Sequence, residues 1–249
     1  MSYTPGDSSS NKARRALAGW GPSLFYALLL TLSGLGIYEC VAQRRESQYV
    51  RLVAEAVTKG ARDAGDEFSV VVALRDYVRR NVRHRGYRRR GRPFLRASAE
   101  EILRSGRGHC GEATRAFIAL ADAAGVSAQR LYLEGRTPHV VAEVRLKGGG
   151  RVIVDSYDEP YIQEVSTLEQ VMQRPEFDSY SSLNWRRLVS LPPFKLDLGP
   201  LAYYLENPHA IKALLFFSLA AACAGLKLFG ARAVNYLKRR KGRRVAAEA

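Results

Sequence analysis

The sequence is poor in sulfur, with three cysteines and two methionines among 249 residues. Three cysteines scattered over that length cannot brace a disulfide scaffold. The four histidines, His84, His109, His139 and His209, lack zinc-ligand spacing with any pair of cysteines, so no metal and no other cofactor is expected. No segment repeats, a collagenous period is missing, and an apolar share of 47% excludes disorder of the whole chain. Acid is scarce at both ends. Of the net charge of +15, nine belong to the residues before Arg44 and after His209, where only Asp7, Glu39 and Glu248 oppose the basic groups. Residues 44 to 209 carry the other six, over a length that suits one globular domain with a full core. Such basicity first suggests nucleic acid. The tail KRRKGRR has no interleaved aromatics and belongs to no recognisable module, so a nucleic-acid partner is not expected.

Charge itself is missing from two stretches. From Ala16 to Tyr38 there is no charged residue. At about 1.5 Å per residue this run crosses about 30 Å of hydrocarbon as a helix. A cleaved signal peptide is the other reading, but Cys40, Val41 and Ala42 with Glu39 make a poor cleavage site. Ala213 to Leu226 is shorter; snorkelling by Lys212 and Lys227 extends a second span to 210–231. A helix lying on the surface would need a polar face, which FFSLAAACAGL lacks. Lys12, Arg14 and Arg15 precede the first span, and seven basic residues from Arg232 to Arg244 follow the second. The positive-inside rule then puts both termini in the cytoplasm and the intervening domain outside it, as in a bacterial inner-membrane protein whose tails meet anionic lipid. The expected organisation is a basic N-terminus (1–15), a span (16–38), a domain (44–165), an irregular extension (166–209), a span (210–231) and a basic tail (232–249).

Within the middle, apolar residues from Tyr49 to Val57 and from Val70 to Val78 recur at helical spacing and predict two amphipathic helices. Nine arginines between Arg79 and Arg96 form either a solvated face or a surface for an anionic envelope polymer. Ser98 is placed to cap a short helix. Gly106 and Gly108 break the chain before a helix that starts at Cys110 or Gly111 and stops at Gly125. The period then changes to two, and RLYLEG, HVVAEVRL and RVIVDSYD predict three strands. The last two are joined by a glycine-rich hairpin turn. Ser166 with Glu169 predicts a capping box.

Three residues in this order carry chemistry. Cys110 opens a helix, where unpaired N–H groups and the helix dipole favour a thiolate. His139 heads a strand and Asp155 ends the strand paired with it. Should Leu146 face Gly150, position 141 faces 155, and the imidazole and carboxylate become diagonal neighbours. A thiol, an imidazole and a carboxylate are what thiol acyl transfer requires.

The stretches SAEEILRSGRGHCGEATRAFIALADAAGVSAQRLYLEG, TPHVVAEV and GGRVIVDS resemble the transglutaminase-like superfamily over roughly residues 70 to 160. The resemblance implies an α+β, papain-like core, with the nucleophile helix packed on an antiparallel sheet and Cys110, His139 and Asp155 as the triad. It also implies a cysteine hydrolase or acyltransferase, acting on an amide or peptide bond of a peptide or protein substrate through a thioester. Val140 and Val141 stand where an aromatic often follows the family's histidine, and Val152 and Val154 stand near its usual tryptophan, which leaves the substrate class open. Tyr87 is a plausible upstream tyrosine, though not one that identifies the side chain of an oxyanion hole. The alternative is a catalytically inactive module of the same fold that binds an envelope protein, lipid or anionic polysaccharide.

Overall fold

A computed structural model describes residues 8–63, 65–84, 96–182 and 201–248. The chain divides into two compact units, Met1–Cys40 with Lys212–Ala249, and Val41–Ile211.

The first unit is built from the part of helix α1 (Ser8–Asp63) up to Cys40 and the part of helix α7 (Pro208–Glu248) from Lys212 on. Within these two helices Ser23–Asp63 and Pro208–Gly230 are long and apolar enough to cross a membrane, by length and composition. Most of their apolar side chains stay outside any core: Leu30, Ile37, Leu226 and Phe229 are exposed. Small residues let the helices approach, since a Cβ on Gly36 would lie 2.7 Å from the Phe217 ring. The lysines that bound the second charge-free run have partners. Lys212 Nζ lies 3.9 Å from Glu39, and Lys227 Nζ sits 4.2 and 4.0 Å above the Phe25 and Tyr26 rings. The sequence reading separates the first span from a helix at Tyr49, whereas α1 runs through both. The joining residues ECVAQRRESQ hold no glycine or proline to interrupt it.

In the second unit α4 (Cys110–Ala123) packs on a four-stranded antiparallel sheet, and α2 (Glu67–Asn81) and α3 (Ala99–Ser105) pack on α4. The strands are β1 (Ser127–Gly135), β2 (His139–Arg145), β3 (Arg151–Val154) and β4 (Phe177–Ser181), in the order β3-β2-β1-β4. One core joins α2 and α4 to the sheet through Val71, Leu74, Val78, Phe117, Leu120 and Val144. A second lies around Leu131, Leu133, Val141, Ile153 and Phe177. Alternation along the strands supplies both cores. In β2, Val141 belongs to the second and Ala142 and Val144 to the first, so the sheet is covered on two sides.

Local signals fix the ends. Asp66 caps α2, accepting from Phe68 N and Ser69 N. Ser98 and Glu101 form a reciprocal capping box on α3. The capping box expected at Ser166 with Glu169 falls one residue later, at Thr167 with Gln170, and starts α5 (Leu168–Met172). The extension read as irregular also holds α6 (Leu201–Glu206) and β4. The latter joins the sheet against β1 through a bulge at Glu134 and Gly135. At Gly135 φ is +149°, and an added Cβ would sit on the Glu176 carbonyl, so only glycine allows this pairing. Residues 183–200, in the remainder of that extension, fall outside the described residues.

Candidate active site

The β2–β3 hairpin sets the first half of the site. Leu146 N donates to Gly150 O at 2.9 Å, and Ala142 faces Val154. His139, the first residue of β2, and Asp155, just after β3, therefore converge past the end of their ladder. The structure brings them into direct contact: His139 Nε2 lies 2.9 Å from Asp155 Oδ2, with both side chains buried.

The carboxylate is saturated with donors. Besides the imidazole, Oδ2 accepts from Tyr161 N at 2.9 Å and Ile162 N at 3.2 Å, and Oδ1 accepts from Tyr157 N at 3.1 Å. The segment 157–162 is thus folded around this one side chain. Arg79 locks it from outside, donating to the carbonyls of Asp155 (2.9 Å), Ile162 (2.8 Å) and Gln163 (3.0 Å). Neighbouring Arg75 turns to Asp76 and the Gln163 carbonyl. Arg79, the first of the nine arginines read as either a solvated face or an anionic-polymer surface, turns its guanidinium onto the domain's own carbonyls. Arg85 to Arg92 and Tyr87 lie outside the described residues.

The second half is the start of α4. Gly108 makes the approach tight: a Cβ there would lie 2.7 Å from the Glu112 Cβ and 3.2 Å from Val82. His109 takes the cap position, and its N–H donates to Glu112. Cys110 follows as the first helical residue, half-buried, with its sulfur free of any disulfide. The Thr114 hydroxyl lies 2.8 Å from the Cys110 carbonyl and 3.0 Å from that of Val140, tying this turn to β2 beside His139.

Asp155, in direct contact with the ring, and Cys110 both act on the His139 imidazole. Burial alone would push the imidazole down. Asp155 and Cys110 outweigh it and hold His139 up at about 9. With Nε2–H donated to Asp155, Nδ1 is the ring nitrogen left for the thiol. All three residues singled out in the sequence are therefore brought together.

Sequence reasoning missed the aromatic surround. Tyr161 packs on His139 with centroids 4.8 Å apart, and Tyr157 lies 6.0 Å away. His84 stacks edge-on against His109 at 4.4 Å and reaches Tyr157 at 5.6 Å. Burial first, then the negative charges of Asp158, Glu159 and Cys110, push the Tyr157 phenol up to about 12, so it stays neutral. The available signal was the run DSYDEPY after β3, in which two tyrosines flank a proline turn next to the acid. A recess of about 710 Å³ elsewhere in the unit, lined by Phe68, Val126, Leu146 and Lys147 among others, contains none of the triad. Among the described residues no group of three or more His, Cys, Asp or Glu could hold a metal ion.

Comparison with known proteins bears on this arrangement. The family model described as "Transglutaminase-like superfamily" matches residues 52–156, a span that includes Cys110, His139 and Asp155. The chain is similar to a candidate cysteine protease from Cytophaga hutchinsonii, at 20% identity and TM-score 0.37, over 55% of this chain and 49% of that one. It is also similar to a candidate protease from Parabacteroides distasonis, at 14% identity and TM-score 0.36, over 48% of this chain and 26% of that one. A structure described as a TGase matches at 14% identity and TM-score 0.36, over 53% and 36%. The chain spans between about a quarter and a half of the length of these structures. No curated protein matches the sequence. The segment from residue 52 to residue 156, which carries α2, α3, α4 and the antiparallel strands β1, β2 and β3, is a transglutaminase-like domain.

Proposed function

We propose that this domain is a membrane-anchored cysteine hydrolase or acyltransferase that acts on an amide or peptide bond. The observation that carries the reading is the His139 imidazole, buried, in contact with the Asp155 carboxylate and raised by both Asp155 and Cys110 at the start of α4. With His139 raised to about 9, the Cys110 proton already rests on the imidazole in the ground state, and the thiolate attacks the carbonyl carbon to form a C–S bond. The first-turn N–H groups of α4 favour negative charge there. His139 returns its proton to the leaving amine as the C–N bond breaks, leaving a thioester. Water, or an amine in a transfer reaction, gives a proton to His139 and attacks the thioester. The C–S bond then breaks and the thiolate is regenerated. Asp155 fixes the imidazole's orientation and supports its charge throughout. An inert docking module would have no use for an imidazole held in its charged form between a thiol and a carboxylate.

The two apolar helices support anchoring in a membrane, and the basic flanks support cytoplasmic termini with the domain on the opposite side. An anionic envelope polymer meeting the arginine-dense stretch would engage Arg80 and Arg83 rather than Arg79. The test of the chemistry is labelling of the full chain in detergent with substoichiometric iodoacetamide at neutral pH, read by peptide mass spectrometry. Cys110 should be modified ahead of the exposed Cys40 and of Cys223, and trapping of a thioester from a peptide pool should vanish in Cys110→Ala. Cys110 labelling no faster than Cys40 would sink the proposal.

A further inference from the structure

A buried ion cluster sits beside the nucleophile. Glu206, the last residue of α6, is 6% exposed, and Arg130 of β1 grips it with Nε and Nη2, each 2.5 Å from a carboxylate oxygen. The same Nη2 donates to the carbonyl of Gly111 at 2.9 Å, one residue after Cys110. Arg115, one helical turn further along α4 and 2% exposed, brings its Nε to 3.4 Å from Glu206 and donates from Nη1 to the Ala97 carbonyl. Gly111 makes room for this arrangement, since a Cβ there would come within 3.3 Å of Arg130 Nη1.

A cluster of this kind is a poor device for stability alone. Desolvating two guanidinium groups and a carboxylate costs about as much as their attraction returns, and apolar side chains of similar size fill such a space as well. What apolar side chains could not do is hold a specific carbonyl in the first turn of α4. Asn207 and Pro208 separate Glu206 from the start of the second apolar run, so the chain segment that leaves the domain is also the one that completes the clamp.

We propose that Arg130 and Glu206 are positioning residues for Cys110, and that through them the placement of the nucleophile depends on α6 being docked. The inference rests on the cysteine-enzyme reading above. The charged groups involved are few. Glu206 faces Arg130 and Arg115, with Arg96 farther off; Arg130 also feels Glu112; and Cys110 faces His139 and Tyr157. Burial alone would push the Glu206 carboxyl up, but Arg130 and Arg115 hold it below the usual carboxylate range.

The test is the pH profile of Cys110 alkylation by iodoacetamide, measured on the full chain in lipid nanodiscs, with the melting temperature taken on the same samples. In Glu206→Gln, lost positioning weakens the contact between thiol and imidazole. The acid limb of the profile should then rise by about one pH unit, a tenfold lower thiolate fraction at a given pH. If Glu206 acted only through its charge, removing it would leave two uncompensated guanidinium groups near the thiolate and move the limb down. A purely structural role would lower the melting temperature and leave the limb in place. Either of those results overturns the proposal. Arg130→Lys serves where Glu206→Gln does not fold: it keeps the charge but cannot serve the carboxylate and Gly111 together, and the same upward move is expected. Failure of the underlying reading looks different, because the wild type itself would then show Cys110 titrating and reacting as an ordinary cysteine.

Discussion

Replacing Asp155 by asparagine tests the electrostatics of the site with little change of shape. In the wild type, three donors converge on Oδ2 and one on Oδ1. An amide offers a single accepting oxygen. Placed to serve His139, Tyr161 and Ile162, it turns its NH2 toward the Tyr157 N–H, a donor against a donor, at a cost of about 1–3 kcal/mol. The larger effect is on the imidazole. Held at about 9 rather than near 6.5, His139 favours its charged form by about 3 kcal/mol. Because its native value is raised, that contribution is fully present below about 6.5 and is lost as pH rises through about 9. Without the carboxylate, burial dominates and the imidazole should titrate in the ordinary range near 6.5 or lower. Together these predict a destabilisation of about 4 kcal/mol at neutral pH, or a fall of about 10 °C in melting temperature for a domain of this size. The loss should shrink toward pH 9. The assay is NMR titration of ring-labelled histidine in the full chain in micelles, with thermal unfolding at several pH values. A His139 midpoint unchanged in Asp155→Asn would refute the account of what holds the proton.

Arg79→Met removes three donors to the backbone carbonyls of the 155–163 segment. It should cost about 2–4 kcal/mol and raise hydrogen exchange at residues 157–162 before that of β2; uniform exchange across the domain would argue against a local clamp. For topology, an impermeant maleimide should reach a cysteine placed at Glu248 only after cells are permeabilised. Labelling of intact cells there would reverse the orientation read from the basic flanks.

Much of the site could be read from the chain because its signals are local. The change of period after Gly125 and the glycine turn at residues 147–150 fix the register that aims His139 at Asp155. Glycines before Cys110 mark a helix start. What stayed hidden depends on distant pairings. The five residues of β4 do not specify β1 as their neighbour, and the bulge that admits them depends on Gly135. Arg79 reads as one of nine arginines, since sequence does not say which side chain turns inward to meet carbonyls more than seventy residues away. Tyr157 and Tyr161 owe their place to the carboxylate that their own N–H groups find. The cluster of Glu206 with Arg130 and Arg115 joins α6, β1 and α4, and no spacing rule connects them.

The donor-filled Asp155 has a consequence for how such a domain could lose its chemistry over time. On the proposed chemistry, substituting Cys110 would remove the nucleophile and disturb little else, because its side chain organises no backbone. Asp155 directs the folding of the six residues after it, so selection for a stable protein preserves it whether or not anything is catalysed. Among descendants of this sequence that drift toward inactivity, the cysteine should go first and the aspartate last. A copy that keeps the acid without the thiol would then be a record of former catalysis rather than evidence of a different origin.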